Sequence, residues 1–71
     1  MFVIGSINSE DNQYCVDFFE RADGTFGFEE YRQDVEDYNQ WFKIGCFDAL
    51  LFNTKRSAID AALKHVIWLK L

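Results

Sequence analysis

Two apolar segments on either side of an Asp-Gly pair predict a β-hairpin. Residues 14–21 and 25–32 are rich in aromatic and β-branched residues, and the short stretch 22–24 between them is Ala-Asp-Gly. A tight hairpin turn needs positive φ, which glycine adopts without steric cost. We therefore predict two antiparallel strands joined at this point.

The length of the turn decides which side chains share a face of the sheet. A two-residue turn pairs Phe19 with Phe28 and distributes the aromatic residues over both faces. A three-residue loop, with Gly24 in the left-handed region, pairs Phe18 with Phe28 and collects one apolar face. We predict the second register, in which that face comprises Tyr14, Val16, Phe18, Phe26 and Phe28. The opposite face then carries Cys15, Asp17, Phe19, Gly27, Glu29 and Tyr31.

Further strands are predicted on either side of the hairpin. Residues 2–7 are apolar and β-branched and are followed by a polar cluster, which is typical of a strand and a loop. Residues 33–40 are polar and acidic, and we expect a surface loop there. Residues 41–45 and 49–52 both have strand composition. The second is favoured as the fourth strand because it leads directly into a helix.

A helix is predicted at the end of the chain, because apolar residues recur at helical spacing at Ile59, Ala62, Leu63 and Val66. Thr54 as the N-cap would place two basic residues in the first turn, against the helix dipole. Ser57 followed by Asp60 resembles a capping box and is the favoured start.

The last residues do not continue this amphipathic pattern. Helical phasing beyond about Ile67 would leave Trp68 exposed on the side opposite the apolar stripe. We therefore expect an irregular tail in which Trp68 and Leu69 fold back onto the edge of the sheet.

Together these elements predict a single small α+β domain over residues 1–71. An antiparallel sheet of three or four strands is expected, with one C-terminal helix packed on one face. The expected core consists of Val16, Phe18, Phe26, Phe28, Leu51, Ile59, Leu63 and Val66.

Charge is distributed unevenly along the 71-residue chain, which has a net charge of −5. Residues 1–40 hold ten acidic and two basic side chains, while residues 41–71 hold two acidic and five basic ones. Binding to phosphate backbones needs clustered Lys and Arg, so we expect neither a nucleic-acid nor a membrane partner. Two cysteines without a signal-peptide pattern favour a cytoplasmic protein with reduced thiols.

Candidate catalytic and metal-binding residues are few. His65 is the single histidine, and a nucleophilic pair with Cys15 or Cys46, oriented by Asp17 or Asp60, is the enzyme hypothesis. No local motif surrounds either cysteine, and the spacing of these residues fits no zinc site. The acidic run 29–37 lacks the pattern of a calcium loop. No glycine-rich phosphate motif is present, so we predict no cofactor and no metal, and the enzyme hypothesis is the less favoured one.

Exposed aromatic residues interleaved with acids predict a protein-binding surface instead. The candidate contact residues are Phe19, Tyr31 and Trp41. The partner is another protein or a second copy of the chain, bound through a sheet face or edge. Two alternatives stay open. Residues 41–52 fold over these aromatics and leave no interface, or the acidic chain mimics nucleic acid.

Overall fold

One antiparallel sheet and one helix make up the molecule. The computed structural model describes residues 1–34, 36, 38–45 and 47–70. The sheet has the order β1-β2-β3-β4, and a helix packs on one of its faces, which confirms the predicted α+β fold. The elements are β1 (Phe2–Asn8), β2 (Tyr14–Glu20), β3 (Phe26–Asp34), β4 (Gln40–Ile44) and α1 (Lys55–His65).

The hairpin between β2 and β3 has the predicted register, with Phe18 opposite Phe28. The backbone N–H of Arg21 donates to Thr25 O at 2.8 Å, and that of Gly24 donates to Arg21 O at 3.0 Å. Gly24 has φ 86°, so it adopts the left-handed conformation that a three-residue loop requires. The prediction of this loop is confirmed.

The fourth strand lies earlier in the chain than predicted. β3 continues to Asp34, which pairs with Gln40 at the start of β4. The prediction of a strand over 49–52 was therefore wrong, and the loop predicted over 33–40 is shorter than expected, because Gln33, Asp34 and Gln40 belong to strands. Polar side chains at the end of a hairpin face solvent while the backbone completes its ladder, so their polarity did not prevent strand formation.

Residues 49–52 contribute a single β-bridge in place of the predicted strand. The N–H of Phe52 donates to Phe26 O at 3.0 Å, and the N–H of Phe26 donates to Phe52 O at 2.7 Å. β4 pairs with β3 only from Glu30 to Asp34, so this bridge occupies the same edge of β3 at its other end. The chain after β4 thus runs along the edge of the sheet.

The core lies between the sheet and the helix. Val16, Phe18, Phe28 and Val66 are buried as predicted, and Phe26 and Ile59 are partly buried. Leu51 and Leu63 are 64% and 39% exposed, so their assignment to the core was wrong. The helix turns its alanines toward the sheet, because the large Phe rings already fill the space there. Ala62, which belongs to the predicted apolar stripe, is buried, and so are Ala58 and Leu69, which the expected core did not include.

The N-cap of the helix lies three residues before the predicted one. Thr54 is the N-cap, with φ −136°, and its Oγ1 accepts from the Ser57 N–H at 3.1 Å. The predicted Ser57 start was therefore wrong. A cap satisfies a backbone donor directly, whereas exposed basic residues in the first turn are screened by water. The Arg56 Nε also lies 3.3 Å from Asp60 Oδ1.

The tail returns to the sheet, as predicted, but it crosses the middle of the sheet rather than its edge. Leu69 is 5% exposed and belongs to the core, while Ile67 is 99% exposed. The Trp68 Nε1–H donates to Glu30 Oε2 at 2.8 Å, and its ring centroid lies 6.1 Å from that of Tyr14. Both partners belong to the two central strands.

Candidate functional site: the open face of the sheet

The face of the sheet opposite the helix carries no second layer of secondary structure in the described part of the chain. Neighbouring residues of a strand point to opposite faces, so the strand pairing identifies the side chains on this side. We call this surface the open face. It consists of Val3, Ser6, Asn8, Cys15, Asp17, Phe19, Gly27, Glu29, Tyr31, Gln33, Trp41 and Lys43.

Phe19 lies on the open face, yet it is only 2% exposed. Its ring lies over Gly27, where a Cβ atom would come within 2.7 Å of Phe19 Cζ. The Arg21 guanidinium covers the ring from 4.8 Å, in cation–π geometry. Phe19 is therefore not part of the contact surface, although the sequence pattern predicted that it would be. Its ring fits into the space left by the absent side chain of Gly27, and the Arg21 guanidinium covers its other side.

Arg21 also ties the chain after β4 to the sheet. Its Nη2 donates to Asp48 O at 2.8 Å and to Leu50 O at 3.2 Å, and its Nη1 donates to Phe26 O at 3.1 Å. These bonds hold the segment 47–52 at the β3 edge and leave Tyr31 and Trp41 on a face that this segment does not cover. Arg21 is a positioning residue that the sequence pattern did not reveal.

Asp17 is the first of two carboxylates near the centre of the open face. Its Oδ1 accepts from Ser6 Oγ at 2.6 Å and from the Cys15 thiol at 3.4 Å. Partial burial, with the hydrogen bond and negative charge of Asp17, raises the pKa of Cys15 to about 11. The thiol is therefore protonated at neutral pH, which is the opposite of what a nucleophile needs.

Glu29 is the second carboxylate, and it is engaged on both oxygens. Its Oε2 accepts from Tyr31 OH at 2.5 Å, and its Oε1 lies 3.4 Å from Lys43 Nζ. The hydrogen bond to Glu29 raises the pKa of Tyr31, and the charges of Glu29 and Asp48 raise the pKa of Lys43. Lys43 is also 3.7 Å from Asp48 Oδ2, so its charge is shared between two carboxylates.

A shallow recess of about 360 Å³ lies beside Asp17 on the open face. Trp41 forms part of its wall and is 42% exposed, and Tyr31 is half-buried at its side. Two of the three predicted contact residues therefore share one site, and the third, Phe19, lies buried nearby. The recess is lined by Ser6, Asn8, Cys15, Asp17, Tyr31 and Trp41.

Cys15 and His65, one of the two thiol–imidazole pairs of the enzyme hypothesis, lie on opposite sides of the sheet. His65 ends the helix on the covered side of the sheet, with its ring 5.8 Å from that of Phe47, whereas Cys15 belongs to the open face. Cys46 lies outside the described residues. Among residues 1–34, 36, 38–45 and 47–70, no group of three or more His, Cys, Asp and Glu side chains is arranged to hold a metal ion.

A second groove, of about 560 Å³, lies between the loop after β1 and the C-terminal tail. Two of its polar side chains, Ser9 and Asp11, are hydrogen-bonded within the loop. Asp11 accepts from Ser9 Oγ at 2.6 Å and from the Gln13 N–H at 3.1 Å, and these bonds lower its pKa. These bonds stabilise the turn after β1 and leave Asp11 engaged within it.

Comparison with known proteins identifies no relative: no family model, no curated protein and no solved structure matches the chain. Within the described ranges, every helix is too short and too polar to cross a bilayer.

Proposed function

We propose that this chain is a non-catalytic protein-binding module whose contact surface is the open face of the sheet. One observation carries the proposal. A sheet covered on a single side leaves Trp41 and Tyr31 accessible around a recess, beside an anchored carboxylate. Aromatic side chains supply large contact areas at low cost in conformational entropy, and they are enriched at protein interfaces.

The separation of Cys15 from His65 also favours binding over chemistry. A thiol with a raised pKa and a histidine on the other side of the sheet do not form a nucleophilic pair. Alkylation of the Cys46→Ser variant with iodoacetamide tests this, since it reports on Cys15 alone. Reaction faster than that of an unfolded control peptide at pH 7 would support the enzyme hypothesis instead.

Two neighbouring residues of β4 provide a matched test of the binding surface. Trp41 and Phe42 are 42% and 38% exposed, and they point to opposite faces of the same strand. We expect affinity capture from the native cell to recover a partner with wild type and with Phe42→Ala, and to lose it with Trp41→Ala. Equal urea midpoints for the two variants serve as the control. Capture that survives Trp41→Ala would contradict the proposal.

Self-association through β1 is the second candidate, and a specific observation favours it. β1 is an edge strand without a charged residue, and Phe2 and Val3 are 74% and 56% exposed. Edge strands that lack charge tend to pair with another strand. Light scattering on a sizing column is expected to show a dimer at high micromolar concentration that Val3→Lys converts to monomer. A monomeric wild type under these conditions would rule this candidate out.

A further inference from the structure

Among the described residues, the open face carries one carboxylate, that of Asp17, which has no ion-pair partner. Arg21 is occupied by carbonyl oxygens and by the ring of Phe19, and Lys43 is shared between Glu29 and Asp48. In the part of the chain that the structure describes, Asp17 forms no ion pair with any Lys or Arg. Its two donors, Ser6 and Cys15, are neutral and both bind Oδ1.

The groups around the recess are consistent with a negative potential. The charge of Asp17 contributes to raising the pKa of both Cys15 and Tyr31, which flank it on β2 and β3. A cation that enters the recess therefore meets an electrostatic attraction, together with the exposed ring of Trp41. Aromatic faces attract cations as well.

We infer that the recess binds an arginine side chain of the partner protein, with the guanidinium against Asp17 and stacked on Trp41. This rests on the proposed binding function and specifies the partner's chemistry. Charge complementarity supports the choice, because a cation at Asp17 neutralises the one carboxylate of the open face that has no ion-pair partner within the described ranges, and the chain as a whole is acidic. A guanidinium is planar, donates in pairs to a carboxylate and stacks on indole rings, whereas a lysine ammonium is a strongly hydrated point charge.

The probe is the tripeptide Ac-Gly-Arg-Gly-NH2, with the same peptide carrying citrulline or lysine as controls. We expect saturable shifts of the Trp41 indole N–H and of the Asp17 and Tyr31 amides in ¹⁵N–¹H NMR spectra. Affinity is expected in the millimolar range for arginine, weaker for lysine and undetectable for citrulline, which has the shape without the charge. Added salt weakens binding.

Two variants on the same strand give a matched comparison. Asp17→Asn removes the carboxylate at the recess, and Glu20→Gln removes one on the opposite face of β2. We expect Asp17→Asn to weaken binding of the arginine peptide by about fivefold or more, while Glu20→Gln stays within about twofold of wild type. Equal effects of the two variants would indicate general charge attraction and would overturn the inference.

Partner capture and peptide binding together distinguish failure of the arginine assignment from failure of the proposed function. If Trp41→Ala abolishes partner capture but the arginine peptide causes no NMR shift, the open face is a binding surface and the assignment of an arginine to the recess is wrong. The arginine assignment also falls, alone, if Asp17→Asn captures the partner as well as wild type does. If capture is insensitive to Trp41→Ala, both fall together.

Discussion

At position 27 only a hydrogen atom fits between the backbone of β3 and the ring of Phe19. A Cβ atom there would lie 2.7 Å and 2.9 Å from two ring carbons and 2.9 Å from Arg21 Nη2. These are side-chain atoms, but the ring is 2% exposed and the guanidinium is held by three carbonyl oxygens, so neither is free to move.

Gly27→Ala is therefore expected to destabilise the protein by about 1–3 kcal/mol, as overpacking does in a well-filled core. Gly5 is the control, because a Cβ at that strand position meets nothing within 4 Å. Gly5→Ala is expected to change the free energy of unfolding by less than about 0.5 kcal/mol. Urea unfolding measures both, and equal effects would contradict the packing described for Phe19.

Cys15 makes stability depend on pH in the alkaline range. Its pKa is raised from 9.0, the ordinary value of a thiol, to about 11, so the folded state holds the proton more tightly than the unfolded state. The resulting stabilisation is complete below pH 9 and is lost as the pH rises through 11. We expect the stability of wild type relative to Cys15→Ala to fall between pH 9 and 11. A difference in urea midpoint that does not change with pH would show that the thiol is not perturbed.

The helix is the element whose start depends on a single hydroxyl. The first turn contains Lys55 and Arg56 and no acidic residue, so the helix dipole gains nothing from side-chain charge there. Thr54 Oγ1 compensates by accepting from the Ser57 N–H. It also donates to Ser57 Oγ at 2.9 Å, and because this hydrogen bond is exposed to solvent it adds little to the stability of the helix.

Thr54→Ala is expected to cost about 1 kcal/mol of stability, because it leaves a backbone donor of the first turn without its side-chain acceptor. Ser57→Ala keeps that acceptor and is expected to cost less than about 0.5 kcal/mol. Thermal unfolding followed by circular dichroism compares the two. A larger loss for Ser57→Ala would favour the alternative start of the helix.

The C-terminal tail shapes the molecule as a whole, because it closes the core after the helix has ended. Val66 and Leu69 fill the space beside Val16 and Phe28, and Trp68 is held over the sheet by Glu30. The intervening Ile67 points into solvent. Burial in this segment therefore follows the contour of the sheet and not the periodicity of a helix.

Leu69→Ala is expected to reduce stability by about 2–5 kcal/mol, through lost burial and the cavity that remains. Ile67→Ala removes a similar side chain two residues away and is expected to stay within about 0.5 kcal/mol of wild type. Urea unfolding of both variants tests whether the tail is part of the core. Similar midpoints for the two would place the tail outside it.

Local sequence preferences are sufficient to predict the β2–β3 hairpin. The Ala22-Asp23-Gly24 loop, the pairing of Phe18 with Phe28 and the two faces of β2 and β3 follow from turn preference and strand alternation, which act over a few residues. The same rules placed Tyr31 on the open face. That Trp41 joins it depends on where the next strand forms.

The burial of Phe19 and the pairing at the β3 edge were determined by contacts between residues distant in sequence. The burial of Phe19 needs Gly27 and Arg21, and Arg21 in turn needs carbonyl oxygens 27 and 29 residues away. Residues 40–44 and 49–52 both reach the β3 edge, the first as a ladder opposite Glu30–Asp34 and the second as a single bridge at Phe26. The ladder forms in the segment nearer in sequence, for which the cost of closing the loop is smaller. Strand preference and periodicity describe only neighbouring residues. They do not indicate which distant residues cover Phe19 or which segment pairs with β3, and tertiary packing decides both.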